Sequence, residues 1–141
     1  MQWHRDNFTI DTDRDRLDFS VIVRDLQTTY WASKRSAETI ERAWSNSILV
    51  FGLYRDDELI GFARVVSDLV AIAYLADVYL QPEARGGGLG TWLVETATSH
   101  PEVKDLKWLL HTLDAHELYR KIGFTEPSPR VLERLLTPNS I

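Results

Sequence analysis

Apolar positions along the 141-residue chain follow two spacings, and each spacing predicts one kind of element. Short runs rich in β-branched and aromatic residues, bounded by polar or glycine-containing turns, predict strands. The predicted strands are Phe8–Ile10, Ile48–Tyr54, Leu59–Val66, Ile72–Leu80, Leu106–His111 and a last strand that starts at Phe124. Gly61 lies inside the third of them, which indicates a bulge or a close backbone approach there.

Four other segments carry apolar residues three and four positions apart, as expected for helices with one buried face. The first helix is predicted to begin near Asp13 or Asp15, either of which would cap it, and the second follows Ser36 as its cap. The apolar faces of the four helices are Phe19, Ile22, Val23, Leu26 and Tyr30; Ala37, Ile40, Ala43 and Trp44; Leu89, Trp92, Leu93 and Ala97; and Ala115, Leu118 and Ile122. The order β-α-α-β-β-β-α-β-α-β predicts an α+β fold around a mixed sheet, in a single domain over residues 1–141.

The strand that ends at Leu80 runs into the most glycine-rich part of the chain. After Pro82 come Gly86, Gly87, Gly88 and Gly90, directly ahead of a predicted helix. Glycine permits positive φ and has no Cβ, so consecutive N–H groups can converge, and the helix N-terminus adds roughly half a positive charge. Together these features predict a site for a phosphate, most readily a pyrophosphate.

Two common glycine loops do not fit this segment. A dinucleotide-binding fingerprint would need a glycine at position 91, which is Thr91, and a P-loop would need Gly-Lys-Ser or Gly-Lys-Thr, which the sequence lacks. The pattern Arg85-x-x-Gly88-x-Gly90 instead resembles the acyl-CoA pyrophosphate loop of the GNAT N-acetyltransferase superfamily. A plain strand-to-helix connection is the alternative, and it is disfavoured because glycine costs up to about 1 kcal/mol of conformational entropy per residue.

A second segment supports the same resemblance. Residues Ala115–Phe124 are similar to the superfamily pattern Ala-x-x-Leu-Tyr-x-Lys-x-Gly-Phe, with Gly123 expected to turn left-handed at the helix end. The resemblance covers about Ile48 to Phe124 and implies the GNAT fold, a mixed central sheet with two splayed parallel strands flanked by about four helices. The family usually ends in a strand, whereas Val131, Leu132, Leu135 and Leu136 have helical spacing, so both alternatives stay open for Pro127–Ile141.

The resemblance implies that acetyl-CoA binds as the acyl-donor substrate. Its pantetheine arm would lie like an extra strand in the gap between the strands Ile72–Leu80 and Leu106–His111, bonded to backbone groups of one strand. Arg85 would add its side-chain charge at the pyrophosphate or contribute only its backbone. The implied acetyl-CoA contacts are Val78, Tyr79, Leu80, Arg85, Gly86, Gly87, Gly88, Leu89, Gly90 and Tyr119.

Three residues are candidates for catalysis. Tyr119 matches the tyrosine that many family members use as general acid toward the CoA sulfur, although it could instead only pack against the pantetheine. Asp77 shares a strand face with Tyr79, where a lone buried carboxylate is costly, so it either pairs with a cation such as Arg64 or acts as base or amine-binding group. His111 could reach the acceptor amine through water or be a structural histidine. A backbone N–H near Leu80 would stabilise the oxyanion.

The acceptor is expected between the first two helices and the sheet. Tyr30 and Trp31 lie in the link between those helices and could hold an apolar or cationic substrate, or belong to the core. Arg64 could bind a substrate carboxylate or pair with Asp77. His116, three residues before Tyr119 on the same helix face, is a further substrate-binding candidate or a structural histidine.

Composition limits the partners. A net charge of −5 argues against nucleic-acid binding and is compatible with a cationic amine. The sequence has no cysteine and its histidines lack ligand spacing, which predicts that there is no metal site. The apolar runs are too short to span a membrane and the N-terminus does not resemble a signal peptide, so a cytoplasmic location without membrane contact is predicted. A homodimer stays open.

The leading functional prediction is an acetyl-CoA-dependent N-acetyltransferase that moves an acetyl group directly to a primary amine of a small molecule through a tetrahedral intermediate. Two alternatives stay open. One is a non-catalytic acyl-CoA-binding or sensor module, and the other is a protein or peptide N-acetyltransferase. Nothing in the sequence separates a small amine from a peptide.

Overall fold

The computed structural model describes residues 1–136, which form two compact units with their boundary between His111 and Thr112. The first unit contains a six-stranded sheet with three α-helices, and the second contains one short helix. The predicted α+β class and the number of helices are confirmed. The assignment of the chain to a single domain stays a prediction.

The strands of the sheet lie side by side in the order in which they occur along the chain. They are β1 (Gln2–Arg5), β2 (Phe8–Asp11), β3 (Leu49–Arg55), β4 (Glu58–Ser67), β5 (Ile72–Leu80) and β6 (Lys107–Leu110). Neighbours from β1 to β5 are antiparallel, whereas β6 runs parallel to β5. The helices are α1 (Phe19–Leu26), α2 (Ala37–Ser45), α3 (Leu89–Thr98) and α4 (His116–Lys121).

The strand β1 has no counterpart in the sequence prediction. It pairs with β2 from Gln2↔Asp11 to Arg5↔Phe8, and only Trp3 among its four side chains is half-buried. A strand without alternating buried and exposed positions leaves no period-two signal in the sequence. The predicted element order therefore lacks the first strand.

The predicted start of the first helix is wrong. Helix α1 begins at Phe19 and its cap is Asp18, whose carboxylate accepts the Ser20 N–H. Asp13 instead caps a short 3₁₀ turn at Arg14–Arg16 by accepting the Asp15 N–H. Aspartate side chains readily form such local turns, which compete with the helix for the same backbone groups. The predicted cap of α2 is confirmed, because the Ser36 hydroxyl accepts the Thr39 N–H.

The predicted last strand is also wrong for the residues described. Gly123 has a φ of 99° and ends α4 as expected. The next N–H, of Phe124, donates to the Tyr119 carbonyl at 3.1 Å, so this residue closes the helix end and does not open a strand. Residues 124–136 contain no helix or strand, and Leu132 and Leu136 are exposed. The part of the Pro127–Ile141 prediction that falls on 137–141 lies outside the described residues.

Helices cover both faces of the sheet. One face packs against α1 and α2 through a cluster of buried side chains: Leu17, Ile22, Leu26, Ala32, Ile40, Trp44, Val50, Tyr54, Leu59, Phe62 and Tyr79. On the other face, an added Cβ at Gly90 of α3 would lie 3.9 Å from Leu80. Because adjacent strand residues point to opposite faces, Tyr79 and Leu80 connect the end of β5 to both helical layers.

A buried histidine makes the stability of the first unit depend on pH. His100 packs edge-on against Trp3 and Phe51, and its Nδ1 accepts the Glu102 N–H. Burial disfavours the charged ring and lowers the pKa of His100 below its ordinary value of 6.5. Below about pH 6.5 the unfolded chain therefore binds more protons than the folded protein, and folding stability falls as pH falls toward the lowered pKa.

We expect the free energy of unfolding in urea to be smaller at pH 5.5 than at pH 7.5. His100→Gln should reduce this difference, because it removes the group that titrates. His4→Gln is the control, since His4 is exposed on β1 and its loss should leave the difference unchanged. Equal pH dependence in the wild type and His100→Gln would contradict the assignment.

Candidate functional site

The parallel strands β5 and β6 separate partway along β5. Their paired residues run from Ile72↔Lys107 to Leu75↔Leu110, whereas β5 continues to Leu80. No strand among residues 1–136 pairs with β5 on this side beyond Leu75. This gap matches the splay between two parallel strands that the family resemblance implies.

Backbone groups at the end of β5 point into the gap. The Gln81 N–H donates to the Ile60 carbonyl of β4 at 2.8 Å, so Gln81 faces β4. Every second residue of a strand directs its backbone groups at the same neighbour. Tyr79 therefore also faces β4, and Val78 and Leu80 direct their N–H groups into the gap.

Gly61 lets β4 approach this end of β5 closely. An added Cβ at Gly61 would lie 2.9 Å from the Tyr79 carbonyl oxygen, a distance that no side chain could keep. The pairing of β3 with β4 also shifts register between Leu53 and Tyr54, opposite Gly61. Both features expected of Gly61, the bulge and the close approach, are confirmed.

Strand β5 has its own bulge just beyond the point where β6 leaves it. Its pairing with β4 shifts register between Phe62 and Arg64, opposite residues 77 and 78. Asp77 has a φ of 51°, in the left-handed region that aspartate adopts more readily than most residues with a side chain. Asp77 thus lies at the start of the gap, just beyond the last residue that pairs with β6.

The Asp77 carboxylate is buried and fully bonded, with 2% of its side chain exposed. Arg64 Nε donates at 2.7 Å, Arg35 Nη1 donates to both oxygens at 3.2 and 3.4 Å, and Trp31 Nε1 donates at 3.0 Å. These donors come from β4 and from the link between α1 and α2. The sequence leaves two roles open for Asp77, an ion pair or a base, and these bonds correspond to the ion pair with Arg64. A base or amine-binding role would have to compete with them.

The two aromatic candidates in the α1–α2 link have different surroundings. Trp31 is half-buried, packs against the cluster of the first face and uses its ring N–H on Asp77. Tyr30 is 40% exposed and meets the Trp31 ring edge-on, with 5.0 Å between centroids. Trp31 is thus part of the packed layer, whereas Tyr30 is open to solvent. A substrate contact for either stays a prediction.

The glycine turn and the start of α3 present backbone N–H groups to open space. Gly86 and Gly88 have φ of 88° and 81°, and Gly88 is the N-cap of α3, where it offers no side chain to accept the first N–H groups. Added Cβ atoms at positions 86–88 would meet nothing within 4 Å. First-turn N–H groups lack acceptors within a helix, and the helix dipole favours an anion beside them. The turn therefore has the open space and the donors that a pyrophosphate needs.

Arg85 is bonded back onto β5. Its Nε donates to the Leu80 carbonyl at 2.9 Å, and its guanidinium lies over the Tyr79 ring, 5.4 Å from the centroid. This arrangement braces the turn and fixes the end of β5. Because Arg85 bonds the Leu80 carbonyl, the Leu80 N–H stays available to a ligand in the gap.

His111 directly follows the last residue of β6, where the two strands have begun to part. Its Nδ1 shares a hydrogen bond with the Tyr74 hydroxyl across the β5–β6 pair, and the two rings are 5.6 Å apart. This bond fixes the orientation of the imidazole. Tyr74 is a partner that sequence patterns cannot identify, because it reads as one more aromatic strand residue.

The remaining two candidates, Tyr119 and His116, belong to α4 in the second unit. Tyr119 is buried and its ring meets Phe124 edge-on at 5.9 Å. His116 is the first residue of α4 and is exposed. Their roles toward acyl donor and acceptor stay predictions.

Arg35 is the site residue that the sequence does not identify. It lies in an irregular polar link, 42 residues before the carboxylate that it binds. No periodicity or motif connects two such positions. Only the fold reveals that the α1–α2 link passes over the bulge in β5.

Two further properties concern residues 1–136. No cluster of three His, Asp or Glu side chains in this range has the geometry of a metal site. None of the helices described there has the length and apolar character needed to cross a membrane.

We expect Asp77→Asn to lower the free energy of unfolding by about 3 kcal/mol. Asparagine tolerates the same φ, so the change removes the charge alone and leaves the guanidinium groups without their counter-ion. Asp57→Asn is the matched control, because Asp57 is fully exposed and 3.6 Å from its arginine partner, where ion pairs contribute less than about 1 kcal/mol. Equal losses in urea unfolding would show that the Asp77 cluster is not a stabilising ion pair.

Comparison with known proteins identifies the family of this chain. The family model described as "Acetyltransferase (GNAT) domain" matches residues 46–126, which include β3–β6, the glycine turn and α4. An inferred acetyltransferase from Gibberella zeae is 31% identical over 113 residues, covering 66% of this chain and 63% of that protein. The chain spans 56% to 63% of the length of the curated relatives that it matches.

Solved structures show the same fold. A structure assigned to the GNAT family as an acetyltransferase, from Xanthomonas campestris pv. campestris, is 36% identical, with a TM-score of 0.87 over 94% of this chain and 96% of that one. An acetyltransferase from Clostridium acetobutylicum, solved with acetyl-CoA, is 16% identical, with a TM-score of 0.67 over 92% of this chain and 96% of that one. The family model and the 36% identical structure establish that the chain belongs to the GNAT family of acetyltransferases.

Proposed function

We propose that the protein is an acetyl-CoA-dependent N-acetyltransferase that moves an acetyl group to a primary amine of a small molecule. One observation carries the proposal. An unpaired strand edge, Ala76–Leu80, leads within one continuous stretch of chain to a glycine turn and a helix N-terminus. An extended amide-containing arm that ends in a pyrophosphate matches this stretch, and acetyl-CoA has such an arm.

The acyl donor would be held mainly by the backbone. The N–H groups of Val78 and Leu80 face the gap and would bond the pantetheine as a neighbouring strand does. The N–H groups of residues 86–90 would bind the pyrophosphate, because the open turn offers donors and no Cβ that obstructs them. Tyr79 anchors this strand end by stacking on Phe62, with 5.4 Å between centroids. Arg85 contributes by bracing the turn.

The transfer requires one bond to form and one to break. The neutral amine nitrogen of the acceptor attacks the thioester carbonyl carbon, the C–N bond forms, and the C–S bond breaks from the tetrahedral intermediate. The nitrogen loses a proton and the departing thiolate gains one. Donors at the gap, such as the Leu80 N–H, would stabilise the developing oxyanion.

Two side chains are proposed for the proton transfers. Tyr119 supplies the proton to the thiolate, since a phenol with an ordinary pKa near 10 matches a thiol near 8.5. His111 takes the proton from the amine through water, and its bond to Tyr74 holds the ring in one orientation. Asp77 is a positioning residue, because its oxygens are committed to Arg64, Arg35 and Trp31.

Release of free thiol from acetyl-CoA, measured with a panel of primary amines, tests the proposal. Thiol release that depends on the acceptor, together with the acetylated amine detected by mass spectrometry, would support it. Acetyl-CoA binding in calorimetry without turnover on any amine would favour a sensor module. Turnover only on peptides or proteins would show that the acceptor is a peptide or protein and not a small molecule.

We expect Tyr119→Phe to lower kcat about 100-fold at neutral pH with little change in acetyl-CoA affinity, because only the proton donor is lost. Tyr54→Phe is the matched control. The Tyr54 hydroxyl is buried without a hydrogen-bond partner among the described residues, and burial raises the pKa of Tyr54 to about 12. Its removal should leave kcat unchanged. An unchanged rate in Tyr119→Phe would remove Tyr119 as the acid.

Two substitutions of opposite charge at Gly87 test the proposed pyrophosphate site. Gly87 does not have positive φ and an added Cβ meets nothing within 4 Å, so Gly87→Glu and Gly87→Lys should both fold with the wild-type Tm. Glutamate should weaken CoA binding about fivefold, because two like charges about 4 Å apart repel by roughly 1 kcal/mol even in water. Lysine should bind CoA at least as well as the wild type in calorimetry. The same affinity in both variants would place the pyrophosphate elsewhere.

A further inference from the structure

The Asp77 cluster carries more positive than negative charge. One carboxylate, that of Asp77, neutralises two guanidinium groups, those of Arg35 and Arg64. Among residues 1–136, neither arginine forms a salt bridge with another carboxylate. The cluster therefore has a net charge of about +1, held partly out of water, where an unpaired charge is costly.

The excess charge is located on Arg35. Arg64 is 12% exposed, and it uses Nε on Asp77 and Nη1 on the Ser47 hydroxyl. Arg35 is 33% exposed and binds Asp77 through Nη1 alone. Its Nη2 and Nε form no hydrogen bond with residues 1–136. An arginine that presents two parallel N–H groups in this way suits a carboxylate, which it can bind with both oxygens.

Arg35 is also close to the place where the reaction would occur. Its partner Asp77 forms the bulge at the start of the gap, and Val78, the next residue, directs its N–H into that gap. The side chain of Arg35 is on the α1 and α2 face of the sheet, beside the half-exposed Tyr30–Trp31 pair. The excess positive charge thus lies beside the bulge that begins the gap, on the side where the acceptor is expected.

We propose that the acceptor is an amine that carries a carboxylate close to its amino group, as an amino acid does, and that Arg35 binds that carboxylate. This inference rests on the proposed N-acetyltransferase function. The carboxylate would complete the charge balance of the cluster, and the bond to Arg35 would aim the amino group toward the gap. Arg64 supports Arg35 by neutralising most of the Asp77 charge, so that Arg35 is left to attract the substrate.

Matched acceptors test the substrate class. A panel of amino acids is compared with the corresponding amino acid amides, with release of free thiol as the measurement. The amides have the less basic amine and a larger neutral fraction, so the chemistry alone favours them. We expect kcat/KM to be at least tenfold higher for the acids. Equal use of both, or preference for the amides, would overturn the inference and leave the N-acetyltransferase function intact, whereas no thiol release with any amine would contradict the proposed function itself.

Substitution of Arg35 tests the residue. We expect Arg35→Gln to raise KM for the acids by at least tenfold more than it changes kcat/KM for the amides or KM for acetyl-CoA, and Arg35→Lys to recover part of the loss. An unchanged circular dichroism spectrum, together with activity retained on the amides, shows that the variant remains folded. Arg24→Gln is the matched control, because Arg24 is an exposed arginine paired with one carboxylate, Asp25, on α1. If Arg35→Gln raised KM for acetyl-CoA and left KM for the acids unchanged, Arg35 would be assigned to the acyl donor and the inference overturned.

Discussion

The buried carboxylate of Asp77 is the constraint on which the candidate site depends. It lies at a bulge, with φ of 51°, at the residue where β5 has lost its parallel neighbour. A strand edge without a partner is free to twist or fray, and a bulge adds to that freedom. Bonds from β4 and from the α1–α2 link hold the carboxylate, and through it the bulge, in one position. The ion cluster therefore supports one wall of the gap.

The cluster also connects the proposed donor and acceptor sides of the site. Its backbone forms the edge along which the pantetheine would extend, while its side chains reach the link that borders the proposed acceptor position. A similar arrangement exists at the other end of the gap, where Arg85 bonds the Leu80 carbonyl and covers the Tyr79 ring. In both places a guanidinium group fixes backbone that would otherwise have no regular partner.

Sequence patterns predict the features that depend on neighbours in the chain. The glycine turn, the close approach at Gly61, the Ser36 cap and the left-handed Gly123 all follow from local backbone requirements. The start of α1 is mispredicted because two nearby aspartates compete as caps, and β1 is missed because an exposed edge strand has no burial pattern. Pairing of Asp77 with Arg64 is one of the alternatives that the sequence leaves open, but the second arginine on Asp77 and the partner of His111 are beyond prediction from one sequence. Arg35 is 42 residues from Asp77 and Tyr74 is 37 residues from His111, and only the tertiary fold brings each pair together.

The sheet order has a consequence for how the site assembles. Strands β1 to β5 form a meander in which each strand pairs with one close in sequence, although β2 and β3 are separated by the two helices of the first face. Strand β6 joins only after the crossover through α3, and such non-local parallel pairing is slow to form. The bulged wall can therefore exist before the opposite wall does. We expect the groove between them to be completed late in folding, so that a nascent chain would gain affinity for acetyl-CoA only when residues beyond α3 have left the ribosome.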